Sequence, residues 1–64
     1  MDPAERRELI LSAARRAFAS RPYEEVSLAA IADEAHASEA LVHKYFVSKA
    51  GIYAQVLQRA TDEL

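Results

Sequence analysis

The 64-residue chain contains no cysteine, one glycine and two prolines. Without a thiol there is no disulfide, cysteine nucleophile or cysteine-ligated zinc, and a reducing cytoplasm is the expected compartment. Long apolar runs are also missing, so no stretch is expected to span a membrane. The opening "MDPAE" lacks the basic start and apolar core of a secretory signal, and without one the closing "TDEL" is not expected to act as a retention tail. Positive charge is scarce as well. Eight Lys and Arg stand against ten Asp and Glu, for a net charge of −2. That is the wrong sign for coating nucleic acid non-specifically, so any DNA contact has to be local. What remains is 52% hydrophobic and nearly free of helix breakers, which points to one ordered all-α domain. A chain this short buries only about 60% of its unfolded surface, so its stability margin is thin.

Four helices are expected, at about 3–20, 27–35, 38–46 and 49–64. Asp2 can cap the first, Pro3 suits its first position, and Glu5 can reach back in a capping box. Leu9, Ile10, Ala13, Ala14, Ala17 and Phe18 then recur at helical spacing as one apolar stripe, with Glu8, Ser12, Arg15 and Ala19 opposite. Pro22 ends this helix, because it lacks an amide donor and biases Arg21 away from helical geometry. Ser27 can cap a short second helix that buries Val26, Leu28, Ile31, Ala32 and Ala35. After "HAS", Ser38 can cap "EALVHKYF", and Ser48 can cap a last helix striped by Ile52, Tyr53, Val56, Leu57, Ala60 and Leu64. No repeat or linker marks a second domain.

Two short helices joined by three residues form a helix-turn-helix, which can hold its second helix out into a DNA major groove about 12 Å wide. On a helical wheel Val42, Tyr45 and Phe46 share the inward side of "EALVHKYF", Ala40 and Lys44 lie opposite, and Leu41 and His43 flank them. Small Ala40 permits close approach to bases, Leu41 can touch a thymine methyl, and Lys44 can reach a phosphate or guanine.

Through "ELILSAARRAFASRPYEEVSLAAIADEA", "ASEALVHKYFVSK" and "GIYAQVL", the whole chain resembles the N-terminal DNA-binding domain of TetR-type transcriptional regulators. The resemblance implies a homeodomain-like three-helix bundle with a helix-turn-helix and the start of a fourth helix. The third helix would read DNA, through Ser38, Glu39, Ala40, Leu41, His43, Lys44 and Tyr45. Ser27 and Lys49 would contact phosphates. It further implies a C-terminal domain, absent from these 64 residues, that dimerises and binds a small-molecule inducer. The expected partners are therefore a two-fold double-stranded DNA operator and, in the full-length protein, a second copy. The expected action is repression by operator occlusion. For Lys49 there is an independent argument: a lysine in a helix's first turn opposes the macrodipole unless an anion lies nearby.

The sequence departs from the family pattern at Pro22 and His36, where glycine is usual, and at Glu39 and His43. His36 can take positive φ, whereas Pro22 requires a differently built first turn. Glu39 is either a solvated first-turn acid favoured by the helix dipole or a reader of the cytosine amino group. His36, Glu39 and His43 do not form an expected metal site, because the turn breaks their register and no fourth ligand is near. No cofactor is expected. The arginines of the first helix read as a solvated face paired with Glu5 and Glu8, with Arg6 and Arg7 within reach of a DNA backbone. The competing reading is a small protein-interaction module docking through the stripe of helix four. An enzyme ranks behind both, since no nucleophile and base converge.

Overall fold

The structure is a computed structural model that describes residues 2–62. Helix α1 spans Pro3–Ser20, α2 Leu28–Glu34, α3 Glu39–Tyr45 and α4 Lys49–Asp62, with a 3-10 turn at Tyr23–Glu25 between α1 and α2. No strand occurs among the described residues, and no helix there is long and apolar enough to cross a membrane. The four expected helices are all present. Their ends fall within one or two residues of expectation, apart from 63–64, which lie outside the described residues.

Each helix starts where a side chain can satisfy an otherwise unpaired amide. Asp2 Oδ1 accepts from the Glu5 amide at 2.9 Å, Ser27 Oγ from Ala30 at 3.0 Å, Ser38 Oγ from Leu41 at 3.1 Å and Ser48 Oγ from Gly51 at 3.1 Å. Such a cap contributes about 1 kcal/mol. That matters most for α2 and α3, whose seven residues are too few for a helix to persist alone in water.

The largest fully buried side chains are Ile10, Val26, Ile31, Val42 and Ile52, one from each α-helix plus Val26 between the 3-10 turn and α2. All five are β-branched. With χ1 already restricted, such side chains lose little rotamer freedom on burial. Ala13, Ala14 and Ala17 line the buried side of α1 and let its neighbours approach closely.

Two parts of the expected stripe on α1 are displaced. Leu9 is 46% exposed, while Leu11, which the spacing left out, is 5% exposed. The reason is that α1 packs against α4 as well as α2. Its buried arc extends toward α4, where Leu11 and Val56 share a small cleft. Glu8 likewise finds its partner in the tertiary structure rather than along its own helix: both its oxygens accept from the Arg59 guanidinium of α4. That hydrogen-bonded guanidinium, together with the charges of Arg59 and Arg7, holds the Glu8 carboxyl below its ordinary range. Arg16 of α1 lies 3.9 Å from Glu34 of α2.

Pro22 ends α1 as expected, with Arg21 extended, and it begins the 3-10 turn at φ −59°, its natural value. This turn was not anticipated. It brings the Tyr23 ring against Phe18 of α1 and Tyr53 of α4, with centroids 4.9 to 5.8 Å apart across the three pairs. Along α4 burial fades: Ile52 is buried, Tyr53 and Val56 are half-buried, and Leu57 is 50% exposed. Leu64, assigned to the same stripe, lies outside the described residues.

Candidate nucleic-acid interface

The connection from α2 to α3 is built by local hydrogen bonds. The Ala37 amide donates to the Ala32 carbonyl at 2.9 Å and the His36 amide to Asp33 at 3.1 Å. This is the two-bond closure that ends many helices with a left-handed residue, usually glycine. Here His36 fills that place at φ 56°, as the sequence reading allowed. Histidine is among the few side chains that tolerate this region. Ser38 then caps the next helix, so that α3 begins directly from this hydrogen-bonded turn.

Helix α3 is divided lengthwise. Val42 is fully buried and Phe46, its C-terminal cap, is 5% exposed. Leu41 and Tyr45 are half-buried at the edges, and Tyr45 packs on the core. Glu39, Ala40, His43 and Lys44 are exposed together on the outer side. Lys44 has no ion pair or side-chain hydrogen bond among the described residues. Glu39 Oε1 and His43 Nε2 are 3.9 Å apart, one turn from each other, and attract when the imidazole is protonated. From behind, the Arg7 guanidinium covers the Phe46 ring at 5.4 Å from its centroid.

Ser27 and Ser38 are exposed at the starts of α2 and α3. Each hydroxyl accepts a capping bond and still has its proton to donate. Lys49 has partners within the fold. Its ammonium donates to the Tyr23 carbonyl at 2.8 Å and lies 4.1 Å from the centroid of the Tyr23 ring. The unfavourable dipole at the start of α4 is thus partly answered from within the fold. Nothing in the spacing of residues 23 and 49 signals this contact. Among the described residues no three His, Cys, Asp or Glu side chains converge as metal ligands.

A short helix set out on a sharp turn, with a polar and partly cationic outer face, is an arrangement suited to entering a groove of DNA. Comparison with known proteins agrees. The model of the family described as bacterial regulatory proteins, tetR family, matches residues 10–56, from the core of α1 to the middle of α4. The chain belongs to the tetR family. A curated family relative, the HTH-type transcriptional activator FasR of Mycolicibacterium smegmatis, is 40% identical over 60 residues, which is 94% of this chain and 27% of that protein. The chain therefore spans about a quarter of this tetR-family relative. No solved structure matches. TetR-family regulators bind DNA, and the matched residues include the whole helix-turn-helix.

Proposed function

We propose that residues 1–64 form the sequence-specific, double-stranded DNA-binding domain of a bacterial transcriptional regulator acting in the cytoplasm. The observation that carries this reading is the division of α3: its inner side supplies Val42 to the core, and its outer side holds Lys44, His43, Ala40 and Glu39 with few internal partners. Ala40 lets the helix lie close to base edges, Leu41 offers an apolar edge to a thymine methyl, and Glu39 accepts from a cytosine amino group. Ser27, Ser38 and the Tyr45 hydroxyl donate to phosphates, as does Lys49 with the two N–H groups that Tyr23 leaves unused. A C-terminal domain of the kind the family resemblance implies would supply dimerisation and inducer binding, so that two copies read a two-fold operator.

Repression by occlusion follows where the operator overlaps the polymerase site. The relative's name describes an activator, so a reading head of this kind serves either sign of regulation. To test the reading, duplexes are selected from a random library by this chain, and affinity is measured against salt for the chain and for Lys44→Ala. Loss of one phosphate contact lowers the slope of log affinity against log salt by about 0.9 per half-site. A flat wild-type response, or an unchanged slope in Lys44→Ala, sinks the proposal. Glu39→Gln should shift which sequences are enriched, whereas a role in helix stability alone weakens all of them equally.

A further inference from the structure

The first helix carries adjacent arginines that the sequence could not tell apart, and the fold uses them differently. Arg7 turns inward over Phe46. Arg6 instead lines a cleft of about 370 Å³ between the start of α1 and the α2–α3 turn, together with Leu9, His36, Ser38 and Leu41. Among the described residues the Arg6 guanidinium has no carboxylate partner or side-chain hydrogen bond. Arg6 is half-buried as a residue, and its guanidinium is a planar set of donors at this cleft with no anion among the described residues to meet them.

The groups around the cleft indicate what completes it. The Ser38 hydroxyl accepts from the Leu41 amide and keeps its proton to donate. His36 is exposed, held by its left-handed backbone on the turn. Leu9, at 46% exposure, offers an apolar wall of the kind that a deoxyribose can cover. No carboxylate lines the cleft. Donors, one fixed positive charge and an apolar side, adjoining the N-terminal end of the reading helix, fit a sugar-phosphate strand running past α3.

We propose that this cleft seats one backbone phosphate of the DNA strand beside the start of α3, with Arg6 as its principal ligand and Ser38 as a second donor. The inference rests on the DNA-binding reading and adds to it a contact made by α1, outside the helix-turn-helix. Such a contact fixes the angle at which α3 enters the groove without reading sequence.

The experiment uses the duplex selected above and three variants, Arg6→Gln, Arg6→Lys and Lys44→Ala, each first shown by circular dichroism to keep the wild-type helix content. Arg6→Gln is expected to weaken binding roughly tenfold on every duplex tested and to lower the salt slope by about 0.9 per half-site. Arg6→Lys should restore the slope. Ethylation interference supplies a readout that general charge loss would not move: one phosphate per half-site should hinder wild-type binding when ethylated and cease to matter in Arg6→Gln. The proposal is overturned if Arg6→Gln keeps the wild-type slope while Lys44→Ala lowers it, or if both proteins show the same set of sensitive phosphates. If neither variant changes the slope, the DNA reading itself fails and this contact fails with it.

Discussion

Lys44 on the outer face of α3 and Lys49 at the root of α4 are the only lysines in the chain, and the fold treats them in opposite ways. Lys44 stands in water on a surface that contributes nothing to the core. Lys49 is half-buried, bonded to the Tyr23 carbonyl and set over its ring, where it ties α4 to a turn 26 positions earlier. The two share a charge and lie five residues apart. The difference shows that cationic residues around a helix-turn-helix cannot be assigned to nucleic acid by charge alone, because some of them hold the reading head together.

The sharpest way to probe that contrast is to remove packing at the root of α4. Ile52→Ala, at a fully buried position, should cost about 2–5 kcal/mol in urea unfolding, a large share of the roughly 3–10 kcal/mol expected for a chain of this size. A loss below about 1 kcal/mol would mean that the root of α4 is not part of the core. Ala40→Ser on the outer face of α3 should change stability by less than about 0.5 kcal/mol. Next in size are the lysines themselves. Lys49→Met should lose about 1–2 kcal/mol through the charged hydrogen bond and the ring contact, while Lys44→Met stays within about 0.5 kcal/mol of wild type. Equal losses in the two would dissolve the comparison.

Smaller still is the effect expected at the turn that aims α3. His36→Gly removes a side chain from a left-handed position at φ 56°, and that relief outweighs the entropy that glycine adds to the unfolded chain. A gain of about 0.5 kcal/mol is expected from thermal melts, and a loss would show that the imidazole stabilises the turn. The last test concerns α1 and α4. Because the folded Glu8 carboxyl is held below its ordinary range, its bond to Arg59 contributes fully above the unfolded value of about 4.3, and that contribution disappears as pH falls through the lowered folded value. Melts between neutral pH and pH 3 should therefore show a steeper acid loss in wild type than in Glu8→Gln, and parallel curves would remove the pair from the account.

What the sequence made legible here is what is encoded within a few residues. Asp2, Ser27, Ser38 and Ser48 each accept from the amide three positions on, and Val42 and Phe46 lie inward as helical spacing requires. Ala40 and Lys44 belong to one short helix, so a helical wheel already sets them opposite Val42. The unread part is tertiary. Exchange of Leu9 for Leu11 on the buried side depends on where α4 crosses α1, and the Glu8–Arg59 and Tyr23–Lys49 contacts join residues far apart in the chain. The 3-10 turn at Tyr23–Glu25 is short enough to leave no periodicity to find. Arg6 and Arg7 carry the same side chain at neighbouring positions, and only the packed structure turns one inward and the other toward a cleft.

The lengthwise division of α3 bears on how such a domain acquires new targets. Its seven residues are positioned by a cap, a left-handed turn and the inward side chains Val42 and Phe46, all of which are separate from Glu39, Ala40, His43 and Lys44. Mutations at those four outer sites leave the fold's own requirements nearly untouched. Substitutions there can therefore accumulate one at a time with each intermediate still folded, so that under the proposed DNA-binding reading the outer face can change what it prefers while the scaffold that presents it stays the same.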